Sequence, residues 1–180
     1  MRKITLSAFG IAMFGLLATN VLLGAAKTAA AKPADDATKM VGSAAPDFTL
    51  EALEGEKVSL KDTKGSVVVI DFWATWCGPC QKSLPGLEKL YTEMKGKGLK
   101  VFAVDLREEK KPVAENVKKL ELTMPVLMDK DGAVAKSYKV TGIPQTVVIG
   151  KNGKVAKVLI GSGNEDNIRA AVEAAMKVKE

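Results

Sequence analysis

Residues Val67 to Trp73 read V-V-V-I-D-F-W, an apolar and largely β-branched run broken only by Asp71. A run of that length without polar alternation predicts a strand buried on both faces. The period then changes. Leu84, Leu87, Leu90, Tyr91 and Met94 recur at helical spacing, and Gly96 to Gly98 ends the helix they define. Leu99 to Leu106 predicts the next strand, Val113 to Leu120 a helix, Pro125 to Met128 a short strand, and Ala133 to Tyr138 one or two helical turns. Thr146 to Ile149 and Lys154 to Ile160 flank Asn152-Gly153, a dipeptide suited to a tight antiparallel hairpin. Asn164 is placed to cap a last helix, with Glu165 and Asp166 in its first turn and Ile168, Ala171, Val172 and Ala175 on its buried face. Upstream, Phe48 to Leu50 and Lys57 to Leu60 predict an N-terminal hairpin. The fold class is α/β, a mixed sheet with helices on both faces and no internal repeat.

The first residues follow a different pattern. Arg2 and Lys3 precede an apolar stretch from Ile4 to Ala26, and small residues at Gly24 to Ala26 and Ala29 to Ala31 offer A-x-A-like cleavage sites. Residues 1–31 therefore read as an export signal cleaved after Ala31, with an uncleaved membrane anchor as the alternative because the apolar part approaches bilayer-spanning length. Residues 32–44, with Pro33, Asp35 and Asp36, read as a linker, and 45–180 as the domain. Removing residues 1–31 takes away Arg2, Lys3 and Lys27, so the formal charge falls from +6 to +3. The lysines scatter, and no aromatic-rich basic stripe accompanies them, so nucleic-acid binding is not expected. The run Arg107 to Lys111, R-E-E-K-K, reads as a solvated helix start.

The candidate chemistry lies directly after the central strand. Cys77 and Cys80 are the only two cysteines, within Trp73-Ala-Thr-Trp-Cys-Gly-Pro-Cys80. A strand feeding a helix puts Cys77 at the helix N-terminus, where free N–H groups and the helix dipole stabilise a thiolate, with Cys80 one turn on. Structural zinc is disfavoured, because two thiols and no histidine fall short of about four ligands. A purely structural disulfide gains little from so short a loop. A redox dithiol fits best. Two other classes stay open: a thiol peroxidase of peroxiredoxin type, and a non-catalytic module using the thiols as soft Cu(I) ligands. Asp71, in mid-strand, is expected to have a raised pKa and is the candidate proton acceptor for Cys80, the alternative being a carboxylate exposed at an edge or satisfied by local donors. Trp76 is the expected apolar rim of a substrate groove, while Trp73 packs in the core. Gly78 and Pro79 start the helix and leave no charge between the cysteines.

The segment Val69 to Cys80, VIDFWATWCGPC, resembles the thioredoxin superfamily, and from about Ala45 onward the chain resembles its exported TlpA/ResA-type branch. The resemblance implies a three-layer α/β/α thioredoxin-like fold with an extra N-terminal β-hairpin. Pro85 matches a proline inside the active-site helix, Ile143-Pro144 the cis-proline dipeptide opposite the cysteines, and Gly161 a glycine lining the substrate groove. Pro46-Asp47-Phe48-Thr49-Leu50 resembles the leading strand of the TlpA/ResA branch. The stretch between Asp105 and Pro144, with Met124-Pro125-Val126 and Asp129-Lys130-Asp131-Gly132, resembles that branch's insertion.

The resemblance further implies Cys77 as nucleophile, Cys80 as resolving thiol, and Asp71 at the position of the thioredoxin aspartate. Trp76, Ile143, Pro144 and Gly161 would bind substrate, with no metal and no cofactor beyond the Cys77-Cys80 disulfide. Many TlpA/ResA-type proteins carry asparagine at the Asp71 position and glutamate where this chain has Ser83, so a generic reductant fits better than a cytochrome-dedicated one. Gly78-Pro79 matches thioredoxin, whose potential is about −270 mV, which favours reduction. The expected setting is periplasmic or on the outer face of the cytoplasmic membrane. The expected partners are exported proteins with labile disulfides, apocytochromes c among them, and a membrane dithiol donor. A monomer is expected.

Overall fold

The computed structural model describes residues 33–178. The expected signal, residues 1–31, lies outside the described residues. A short helix, α1 (Pro33–Thr38), precedes the hairpin of β1 (Thr49–Ala52) and β2 (Lys57–Ser59). Then come β3 (Val67–Trp73), α2 (Gly78–Met94), β4 (Leu99–Leu106) and α3 (Lys110–Lys119). The chain ends with β5 (Val126–Asp129), α4 (Ala133–Ser137), β6 (Gln145–Ile149), β7 (Val155–Ile160) and α5 (Glu165–Lys177). Seven strands form one sheet in the order β2-β1-β5-β4-β3-β6-β7. The β3-β4 and β4-β5 pairs are parallel, and the others antiparallel.

All seven residues of β3 are buried, as the apolar run predicts, Asp71 included. Because side chains alternate across a strand, Val67, Val69 and Trp73 enter one cluster and Val68, Ile70 and Phe72 the other. The first cluster receives Leu84, Leu87 and Leu90 of α2, Val113 of α3, and Ile168, Val172 and Ala175 of α5. Each such large side chain contributes about 1.5–3 kcal/mol on burial. The second face carries a thinner layer, built from α1, α4 and the segment before β1. There Tyr138 is fully buried, edge-on to Phe48 at 6.4 Å, and its hydroxyl donates to the Pro46 carbonyl at 2.7 Å. The Asp129 carboxylate accepts from the N–H groups of Val134 and Ala135, which anchors the start of α4.

Three expectations need correction. Residues 33–44 are not a free tether over their length: Ala37 and Met40 are buried in the second cluster. The segment also runs beside β7. Gly42 N–H donates to the Val155 carbonyl, Val155 N–H to the Ser43 carbonyl, and Ala45 N–H to the Gly153 carbonyl. Two apolar residues three apart are too weak a pattern to announce a helix, yet they fill a site on the sheet. Helix α3 starts at Lys110, so Arg107 and Glu108 precede it. Asn164 occupies the N-cap of α5 but points backwards, its Nδ2 donating to the Ile160 and Gly161 carbonyls. Among the described residues, no helix is long and apolar enough to cross a membrane.

Met40 is 7% exposed. Met40→Ala is expected to lower stability by about 2–3 kcal/mol in urea denaturation. An unchanged midpoint would mean that the segment does not pack in solution.

Candidate active site

The end of β3 delivers the chain into α2 through Ala74, Thr75 and Trp76. Cys77 is the N-cap of α2 and is joined by a disulfide to Cys80, with a Cα–Cα separation of 5.2 Å. Cys80 N–H donates to Cys77 Sγ at 3.2 Å, so the sulfur takes up one of the unpaired donors at the helix start. Gly78 and Pro79 form the first turn, where a proline costs no hydrogen bond. Cys80 is fully buried and Cys77 nearly so, whereas Trp76 is 71% exposed. Pro85 lies within α2, as the sequence resemblance implies.

Asp71 shares the β3 face that turns towards α2 and the cysteines. It is 3% exposed, and its Oδ1 accepts from the Thr146 hydroxyl at 2.7 Å. Oδ2 has no partner among the described residues. Burial pushes the Asp71 pKa up to about 7, with the Thr146 hydroxyl pulling partly the other way. Nothing in the local pattern singles out Thr146, which reaches Asp71 only because β6 pairs antiparallel with β3 in the register Asp71 to Thr146.

The Ile143-Pro144 peptide bond is cis. Ile143 lines a cavity together with Trp76 and packs against the cluster that contains both cysteines. Gly161 is tied to this dipeptide, its N–H donating to the Pro144 carbonyl at 2.8 Å. With a left-handed φ of 88° and open space where a side chain would start, Gly161 leaves that edge clear. Trp76, next to Cys77, and Ile143 thus line one cavity, and Pro144 and Gly161 are joined to Ile143 through the chain and one hydrogen bond.

A second set of residues escaped the sequence reading. The Glu108 carboxylate accepts from Thr75 N–H and from the Thr75 hydroxyl, each at 2.6 Å. The Gln81 amide donates to the Thr75 carbonyl. Thr75, two residues before Cys77, is therefore held at its backbone donor, its hydroxyl and its carbonyl. Beneath Glu108 lies Asp105, fully buried on β4 opposite Trp73, with Oδ1 accepting from Glu108 N–H at 3.3 Å and Oδ2 unpartnered among the described residues. Burial, reinforced by the neighbouring Glu108 carboxylate, pushes Asp105 up to about 8, so it stays largely a neutral acid at pH 7. Burial also raises Glu108, but Thr75 and the Asp105 proton outweigh it and hold Glu108 below its ordinary value. The solvated reading of R-E-E-K-K is thus corrected for Glu108. Its only sequence signal was a carboxylate falling just before the helix.

A model of the AhpC/TSA family matches residues 41–158. The chain belongs to that family. Within it, a ResA thiol-disulfide oxidoreductase of Bacillus cereus is 36% identical over 140 residues, covering 78% of this chain and 81% of the relative. The ResA of Bacillus subtilis (strain 168) is 39% identical over 127 residues, 71% of each chain. Among solved structures, a Chlorobium tepidum protein described as a candidate DsbE thiol:disulfide interchange protein superposes with a TM-score of 0.71 at 34% identity. That match covers 76% of this chain and 97% of the other. StoA from Bacillus subtilis superposes with a TM-score of 0.62 at 27% identity, over 71% and 96% of the two chains. These relatives bear out the thioredoxin-like, TlpA/ResA-type resemblance read from VIDFWATWCGPC, and with it the fold.

Two measurements test this geometry. The folded-state pKa of Asp71 lies above its unfolded value of 3.8, so the unfolded chain releases that proton near pH 4 while the native chain keeps it to about 7. The Asp71 contribution to stability is full below pH 4 and is lost as pH rises to about 7. Asp71→Asn is therefore expected to stabilise the protein at pH 8 by about 2 kcal/mol or more relative to its effect at pH 4, measured by denaturation at both. Equal effects at the two pH values would contradict the buried carboxyl. Glu108→Ala is expected to cost about 1–3 kcal/mol of stability and to slow disulfide reduction, whereas Glu108→Gln, which keeps an acceptor for Thr75 N–H, restores part of both. Equal losses in the two variants would show that Thr75 does not depend on that acceptor.

Proposed function

We propose that this thiol-disulfide oxidoreductase works outside the cytoplasm and reduces disulfides of exported proteins through a mixed disulfide on Cys77. The observation that carries the reading is the placement of Cys77 Sγ at the start of α2, with Asp71 buried on the strand face turned towards it. In the reduced enzyme the Cys77 thiolate attacks one sulfur of the client disulfide, forming the Cys77–client bond and releasing the other client sulfur as a thiolate. Asp71 takes the proton of Cys80, and the Cys80 thiolate attacks Cys77 Sγ. That step forms the Cys77–Cys80 disulfide and releases the second client thiol. Two electrons pass from enzyme to client, and the released thiolates take up protons.

The neighbouring residues have consistent parts. Trp76 offers a flat apolar surface to the client, and the backbone around Ile143 and Pro144 can pair with an extended client strand. Gly161 leaves room for that strand. Gly78 and Pro79 place no charge beside the thiols, and that dipeptide accompanies a low potential in thioredoxin, which supports reduction as the direction. With no third cysteine to relay electrons, a membrane dithiol protein is the donor that fits an oxidising compartment. Residues 1–31 serve as the export signal in this reading. Apocytochromes c before haem attachment are clients of suitable chemistry, although Asp71 and Ser83 favour a broader range.

Two results decide it. The Cys77/Cys80 potential, equilibrated against glutathione and dithiothreitol, is expected near or below about −250 mV; a value near −120 mV would make the protein an oxidant instead. Cys80→Ser is expected to accumulate a covalent Cys77–client adduct that dithiothreitol releases. Failure to form that adduct with any protein disulfide would count against the mechanism.

A further inference from the structure

Beside the cysteines lies a cavity of about 710 Å³, whose apolar wall includes Trp76, Val140 and Ile143 and whose rim carries Arg107, Lys136 and Lys139. Asp36 is the acidic residue on that rim, and it is already engaged, by Lys139 at 3.2 Å and Lys39 at 3.3 Å. Arg107 pairs with no carboxylate among the described residues.

The position of Arg107 follows from the turn between Asp105 and Glu108. Its φ is 62°, a left-handed conformation that a residue with a long side chain rarely adopts. Lys139 is also left-handed, but it follows the end of α4, where such a residue is ordinary. Arg107 ends no helix. Its guanidinium lies against Gly132, and a Cβ there would collide with Nε and Nη2. Gly132 is itself left-handed, with a φ of 72°. A left-handed turn at Arg107 thus sets its guanidinium against Gly132 at the mouth of an apolar groove, without a carboxylate partner among the described residues. Strain of this kind persists where the surrounding structure holds it, and it points to a use for the residue.

We propose that this groove selects client segments in which an aspartate or glutamate lies beside the reducible cysteine in an extended stretch, the acid meeting Arg107 and the apolar flank lying on Trp76 and Ile143. The proposal rests on the oxidoreductase reading and adds a charge preference to it. Lys136, which pairs with no carboxylate among the described residues, reinforces the positive rim. Since these cations are exposed, their pull on a client falls with salt.

The test compares kcat/KM of the purified protein on two disulfide peptides of equal length, one with two aspartates beside the cysteine and one with two lysines. Hydroxyethyl disulfide, small and uncharged, serves as a third substrate. The aspartate peptide is expected to be favoured about fivefold or more at low salt, and the ratio to fall towards one in roughly 0.5 M sodium chloride. Arg107→Gly, which suits the left-handed backbone and so preserves the fold, is expected to lower the ratio mainly by slowing the aspartate peptide. Equal rates on the two peptides in the unaltered protein would overturn the proposal and leave the oxidoreductase reading intact. A loss in Arg107→Gly that falls equally on both peptides would overturn it too, marking a structural role. No reduction of any of the three substrates would sink the underlying reading, and the charge preference with it.

Discussion

The burial of β3 on both faces is the constraint on which the other elements depend. It lies between β4 and β6, so every backbone donor and acceptor along it must be met by neighbours in fixed register. That register puts Asp71 beside Thr146 and Trp73 beside Asp105, and it aims the chain at the start of α2. A slip of one residue would turn Asp71 to the opposite face, among Val104, Leu127 and Tyr138. The cysteines therefore owe their position to the sheet more than to the local motif that carries them.

The polar groups at that end of the sheet are left incompletely satisfied. Asp71 Oδ2, Trp73 Nε1 and Asp105 Oδ2 are all buried without a partner among the described residues, and all three residues fall on the α2-facing side of adjacent strands. Each lowers stability relative to an apolar substitute. Locally inconsistent residues of this kind concentrate where a fold does chemistry. Here two of them are acids whose pKa burial raises, on the sheet face that packs against the helix carrying both cysteines.

Much of this was legible from the chain. The strand at Val67 to Trp73, the helix after the cysteines and the hairpin about Asn152-Gly153 all follow from periods and turn residues within a short window. Cys77, Cys80 and Asp71 stood out because their residue types conflict with, or depart from, the surrounding apolar pattern. Thr146 and Glu108 did not. Each acts on a residue more than thirty positions away, and neither violates its local pattern, so only the tertiary register brings it to the site. Residues 33–44 look like a linker for a related reason. Ala37 and Met40 provide too little apolar content to predict packing, and they become core only when a complementary face is present.

That same segment changes where the folded unit begins. By bonding to Gly153 and to Val155 at the start of β7 along Gly42 to Ala45, it occupies part of a sheet border that would otherwise present unpaired backbone groups. Exposed borders of this type recruit strands from other molecules. A version trimmed to start at residue 45 would carry an uncovered edge and an unfilled pocket left by Ala37 and Met40, and would be prone to strand-mediated self-association at high concentration. The stretch that looks like a leash is also a cover over the start of one sheet edge.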